Sequence, residues 1–174
     1  MNKRYDAARA KRASRRPTQS LVVRRIVSGG QTGADRAALD FAIQQGIPHG
    51  GWCPAGRKAE DGPIAPRYKL KETLTASYAQ RTEWNVRDSD GTVVFTLDCK
   101  VTGGSKQTVR FAHSLGKPWL HLAANCRQVD HAAVLRCFIV EHRLKTLNVA
   151  GPRQSEEPGI GRFVTSTLRR ALAP

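Results

Sequence analysis

The residues best suited to chemistry stand in two glycine-rich turns. Ser28-Gly29-Gly30-Gln31-Thr32-Gly33 follows a short apolar run and leads into a helical pattern that carries Asp35. Thr102-Gly103-Gly104-Ser105 follows another apolar run in the same way. Glycine lets the main chain turn sharply and lets an anion come close. N–H groups at a helix start, aligned with the helix dipole, favour negative charge. Each turn therefore reads as a cradle for a phosphate-bearing ligand. Asp35 can cap its helix or accept a ligand hydroxyl. Arg57 and Arg153 lie in other loops, and their planar forks suit phosphate oxygens. Arg81 and Asn85 share a helix face by their four-residue spacing, with Tyr78 beside them. Asp88 and Asp90 place two hard oxygens close in sequence, a weak candidate pair for a divalent ion, and they end a helix equally well.

Other chemistries find less support. The first turn lacks G-x-G-x-x-G spacing and no Lys-Ser/Thr pair follows it, which disfavours a dinucleotide dehydrogenase and a P-loop NTPase. His49, His113, His121, His131 and His142 show no metal spacing. Cys53, Cys99, Cys126 and Cys137 contain no CxxC pair, so they read as buried reduced thiols, with Cys53 the one nearest the expected ligand. Trp52 and Trp84 read as core or subunit-contact residues before stacking platforms.

The elements that must position these residues alternate strand and helix. The pattern predicts strands at Leu21–Ser28, Ile47–Trp52, Thr92–Leu97, Pro118–Leu122 and Thr146–Val149. A helix follows Thr32, with Thr32 and Asp35 as a capping box, and Gly46 stops it. Further helices are expected over Thr75–Arg87, Lys106–Leu115 and Asp130–Lys145, and a last one opens near Glu156. Cys53–Tyr68 is expected to be a long functional loop or lid. Strict alternation implies an α/β fold: a doubly wound, mostly parallel sheet of about five or more strands between helical layers. A strand order of 2-1-3-4-5 would make the first and third strands neighbours, so that both glycine turns face one crevice at the switch point.

The chain of 174 residues, 40% hydrophobic, suits one domain over residues 21–174. Its net charge is +15. Residues 1–20 hold Lys3, Arg4, Arg9, Lys11, Arg12, Arg15 and Arg16 against Asp6, and no apolar periodicity, which predicts a disordered basic tail. The tail allows weak nucleic-acid contact, and the basic remainder suits a small anionic ligand. No apolar run approaches the ~18 residues that cross a bilayer, so no membrane contact and a cytoplasmic location are expected.

Several segments in order resemble the molybdenum carrier family. They are Ser28–Asp40, Gly50–Arg57, Glu60–Ile64, Tyr78–Val86 with Asp88–Gly91, and Leu147–Arg153. The likeness covers roughly residues 24–172. It implies a Rossmann-like fold related to the lysine-decarboxylase-like (LOG) proteins, an assembly of identical subunits (a dimer or tetramer), and binding of molybdenum cofactor (molybdopterin), a pterin bearing a phosphate. LOG enzymes release base from nucleoside monophosphates and carry a Pro-Gly-Gly-x-Gly-Thr-x-x-Glu loop. At the matching place, Thr102–Arg110 keeps the glycine pair and lacks the Glu. The resemblance therefore implies a carrier of molybdenum cofactor or a nucleotide ahead of a hydrolase. For a LOG-type N-glycoside hydrolase, the alternative, Asp35, Asp88 or Asp90 would have to replace that Glu.

Overall fold

A strand that carries no exposed residue must lie inside a sheet covered on both faces. Gly91–Thr96 is buried along its whole length, and so is the middle of Thr146–Ala150. The computed structural model describes residues 23–126 and 128–172. The expected basic tail, residues 1–20, lies outside them. The central sheet is parallel and five-stranded: β1 Arg25–Val27, β2 His49–Gly50, β3 Gly91–Thr96, β4 Trp119–Ala123 and β5 Thr146–Ala150, in spatial order β2-β1-β5-β3-β4. Five α-helices of the described residues cover it: α1 Ala34–Gln44, α2 Tyr78–Arg87, α3 Gly103–Ser114, α4 His131–Glu141 and α5 Ile160–Leu172.

The two faces follow from alternation along the strands. Ile26, Val93, Phe95, Leu120, Leu122, Leu147 and Val149 point to one side, into a core shared with α1, α4 and α5. On the other side α2 packs on α3, and α3 lies over β3 and β4. The fold is thus α/β and doubly wound, as expected.

The order 2-1-3-4-5 is corrected. The first and third strands are not neighbours, because β5 lies between them and pairs with both. The apolar centre of Thr146–Ala150 explains this, since such a strand gains most in the middle of a sheet. Counting from β5 instead of β1, the same arrangement reads 3-2-1-4-5, the Rossmann order. The switch point therefore falls between β5 and β3, whose outgoing helices α5 and α3 lie on opposite faces.

Two local expectations also change. The second glycine turn is helical, and Gly103 and Gly104 are the first residues of α3. The capping box of Thr32 and Asp35 is absent: α1 is capped by Gly33 at φ 78°, and the Asp35 carboxylate accepts the Gln31 N–H at 3.3 Å. The segment after β2, expected as a long ordered loop or lid, also carries short strand pairings. Trp52–Cys53 pairs with Lys71–Glu72, and Lys58–Ala59 with Gly62–Pro63. Cys53, Ala59, Ile64 and Tyr68 form a second small core against Leu39 of α1.

Candidate functional site

At the carboxyl edge of β5, Val149-Ala150-Gly151 leads into Pro152 and Arg153, and these residues line one cleft together with the two glycine segments. Gly29, Gln31 and Asp35 come from the first segment, Gly104, Ser105, Gln107 and Thr108 from α3, and Tyr78, Arg81 and Asn85 from α2. The cleft thus lies where β5 and β3 diverge, the place where open α/β sheets bind ligands.

The two glycine segments differ in kind. In the first, each glycine permits a close protein contact. A Cβ on Gly29 would overlap the Arg81 guanidinium, one on Gly30 would strike Leu70, and one on Gly33 would come 2.6 Å from the Pro152 carbonyl. In the second, a Cβ on Gly103 or Gly104 would meet nothing within 4 Å. Thr102 makes no side-chain cap, and Lys106 is the first residue whose N–H closes on the helix, at 3.0 Å from the Thr102 carbonyl. The N–H groups of Gly103, Gly104 and Ser105 precede it, as the free donors of a helix start. The start of α3 is open, and the start of α1 already holds the Asp35 carboxylate.

Asp35 is buried, and its Oδ2 accepts a hydrogen bond from Nη1 of Arg81 at 2.7 Å. Burial pushes the Asp35 pKa up, Arg81 pulls it back, and the net shift is upward. Among the described residues two buried donors have no acceptor: Nε of Arg81 and Nε2 of Gln31. Gln31 uses its other end, Oε1, on the N–H groups of Thr32 and Glu60, both at 3.0 Å. Arg81 and Arg153 both stand over the Tyr78 ring, at 5.8 and 5.9 Å from its centre. An unpaired buried donor costs free energy that an incoming acceptor recovers, so this arrangement suits an anion.

The other expected site residues have different partners. Ser28 is buried, and its hydroxyl donates to the Val149 carbonyl at 2.7 Å, tying β1 to β5. Asn85 lines the cleft, yet its amide accepts from the Trp52 N–H at 2.8 Å and donates to the Trp52 carbonyl at 2.9 Å. The Thr32 hydroxyl donates to Glu60 and accepts from the Gln154 N–H. Arg57 is not brought to the cleft. Its guanidinium reaches the carbonyls of Ile64, Ala65, Tyr68 and Leu70 and organises the inserted segment. Asp88 accepts from the Trp52 indole at 2.7 Å, and Asp90 from the N–H groups of Lys145 and Thr146. No three His, Cys, Asp or Glu side chains gather as a metal group among the described residues. Cys53 is buried in the inserted core, where desolvation raises its thiol pKa, while Cys99 and Cys126 are exposed rather than buried.

Sequence reasoning missed Gln107, Thr108, Asn148 and Glu156 of the cleft wall. Gln107 and Thr108 stand three and four residues past Gly104, one helical turn on, a spacing that could have revealed them. Asn148 is a polar residue inside the apolar run of β5, and its amide donates to the Thr92 hydroxyl at 3.1 Å.

A Rossmann-type sheet entered at a different strand, with a cleft at its switch point, defines a class of α/β proteins. A model described as the circularly permutated YpsA SLOG family matches residues 26–172, and the chain belongs to that family. The crystal structure of a Syntrophus aciditrophicus SB protein, provisionally named a molybdenum carrier protein, superimposes with a TM-score of 0.84 at 44% identity. That similarity covers 87% of this chain and 96% of the other. No curated protein matches the chain. No helix among the described residues is long and apolar enough to cross a membrane.

Proposed function

We propose that the protein is a carrier that binds a phosphate-bearing small ligand in the cleft between β5 and β3, the ligand being molybdenum cofactor ahead of a mononucleotide. One observation carries this reading: two buried donors without acceptors among the described residues, Nε of Arg81 and Nε2 of Gln31, belong to side chains that line the same cleft as the open start of α3. The phosphate would sit on the N–H groups of Gly103, Gly104 and Ser105, with Arg81 and Gln31 closing on it. Arg153 and Tyr78 would flank the ring system. Ser28, Gly29, Gly30, Thr32, Gly33 and Asp35 would support this arrangement from behind. The name of the Syntrophus protein favours the molybdenum-linked ligand. The carrier would work as an assembly of identical subunits.

Calorimetry with molybdenum cofactor and with AMP at low ionic strength tests the proposal. Binding that weakens as salt rises is expected. Gly104→Asp should abolish it, because that change puts a carboxylate where the anion must lie. No heat from either ligand would overturn the reading. Native mass spectrometry of the purified protein would report a retained ligand and the subunit count together.

The LOG-type hydrolase reading keeps one supporting observation, a buried carboxylate, Asp35, in the cleft wall. Its ion pair with Arg81 disfavours it as the missing Glu. Release of free base from AMP, lost in Asp35→Asn, would establish that alternative.

A further inference from the structure

Helices α1 and α5 pack side by side on one face of the sheet. They touch near their starts, where a Cβ on Gly161 would stand 3.5 Å from the Ala37 Cβ. Between them runs an open groove that shares no lining residue with the cleft. Arg162, Thr165, Ser166, Arg169 and Arg170 of α5 form one wall, and Arg36 and Asp40 of α1 belong to the other. Most of these charges are already matched. Arg36 is held by Asp61, and Arg170 by Asp130 at 3.2 Å. Asp40 accepts from the Tyr68 hydroxyl at 2.9 Å and from Arg67 at 3.1 Å. Arg162 and Arg169 are different: both are exposed, and their side chains pair with nothing among the described residues. Arg162 also stands in the first turn of α5, where the helix dipole disfavours a cation. The packing of the fold therefore does not account for it, and an anion outside the fold would.

Arg162, Ser166 and Arg169 follow one another at four- and three-residue steps. They share a stripe about 10 Å long at about 1.5 Å per residue. Arginine forks and hydroxyls are the side chains that hold nucleic-acid phosphates. No aromatic side chain lines the groove, so bases would find nothing to stack on. The α5 helix runs back toward the edge where the parallel strands begin, and the described chain enters at that same edge, at Val23. The sequence before it carries Lys3, Arg4, Arg9, Lys11, Arg12, Arg15 and Arg16 against Asp6. This basic stretch therefore joins the described residues at the edge that Arg169 and Arg170 approach.

We propose that the groove between α1 and α5 binds the phosphate backbone of a single-stranded nucleic acid without regard to base, with Arg162 and Arg169 as its principal contacts. The site is independent of the cleft and of any ligand held there.

Fluorescence anisotropy of a labelled oligothymidylate with the full-length protein at low salt tests this. The parent should bind it, and should bind a mixed-sequence strand of equal length within about twofold. Arg162→Glu combined with Arg169→Glu should weaken binding by about tenfold or more and make the log–log salt dependence shallower by about 1.4, at about 0.7 per lost phosphate contact. The same two positions changed to Lys should keep most of the affinity, since the backbone asks for charge. Lys106→Glu combined with Arg110→Glu, an equal change in net charge on the exposed side of α3, should weaken binding far less. Circular dichroism should show all three variants folded as the parent is. Equal losses in the two Glu variants would overturn the proposal, because net charge alone would then explain the binding. No binding by the parent, or tighter binding of an oligoglutamate of equal length, would overturn it too.

Discussion

At the residue scale the candidate site depends on Arg81, which has one ion-pair partner and one donor left over. Its Nη1 pairs with the buried Asp35, and its Nε has no acceptor among the described residues. Removing one partner of a buried pair strands the other charge and typically costs about 3–5 kcal/mol. Arg81→Met should therefore lower the melting temperature at neutral pH. The pH dependence has a definite sign. The folded-state pKa of Asp35 is raised chiefly by burial, and Arg81 opposes that rise. An acid with a raised folded pKa contributes stability that is complete below its unfolded value and is lost as pH climbs through the folded one. Without Arg81 the rise is larger, so Arg81→Met should regain stability on acidification from neutral toward the ordinary carboxylate range. Adding Asp35→Asn to that variant should remove the pH dependence. Thermal melts across that range check both outcomes, and a variant equally unstable at every pH would contradict them. The four-residue spacing of Arg81 and Asn85 announced a shared face, and the structure puts both on the cleft. Spacing could not say that Arg57 would turn its fork onto four carbonyls of its own loop, because that choice depends on how the inserted segment folds back.

At the element scale the inserted segment and α2 are held by few, directional contacts. Asn85 grips the Trp52 main chain through both ends of its amide. Asn85→Ala leaves the part-buried N–H and carbonyl of Trp52 without these partners, at up to about 1–3 kcal/mol each. The loss should concentrate between Cys53 and Glu72, read as faster amide exchange there while β3 and β5 stay protected. Gly33→Ala tests the first glycine turn. The residue has φ 78°, and an added Cβ would press on the Pro152 carbonyl at 2.6 Å. A clash with main chain on a left-handed residue should cost more than the about 1 kcal/mol of an ordinary glycine replacement, whereas Gly104→Ala, at a residue without a positive φ, meets only open space and should unfold the protein far less. Comparative denaturation of the two variants decides this. The five sheet strands and five α-helices of the described residues were legible from apolar periodicity and turn residues. The start of α3 was not, because glycines in a first turn look like a loop until the hydrogen bond from Lys106 to Thr102 is seen. The pairings within the insert were not legible either, since two-residue strands carry no period.

At the scale of the whole molecule the fold is a Rossmann sheet entered at a different strand. Sequence pattern gives strands in chain order and is nearly silent on their order in space, so the central place of β5 emerged only from its pairing with β1 and β3. The permuted order makes a prediction about connectivity. In a parallel sheet every strand starts at the same edge, and α5 returns from the opposite edge toward it. The described chain therefore begins, before β1, and ends, after α5, on one side of the sheet. Between α4 and β5 the chain turns through His142 and Arg143, which are exposed, with Arg143 at φ 52°. Exposed turns of this kind tolerate new termini. A circular permutant that starts at Arg143, joins Leu172 to Val23 through a flexible glycine-serine linker and ends at His142 would read in the Rossmann order along its own sequence. Because every pairing in the sheet is kept, it should fold with the same secondary structure. Its stability should fall only by the modest entropy of the altered loop closure. It should also keep the cleft, whose walls from β5, β1, α2 and α3 remain intact, and with it any affinity of the parent protein for a phosphate-bearing ligand. Circular dichroism and calorimetry on the permutant check these outcomes together. If it collapses while conservative surface variants fold, the order of the chain and not the packing of the sheet holds the molecule together.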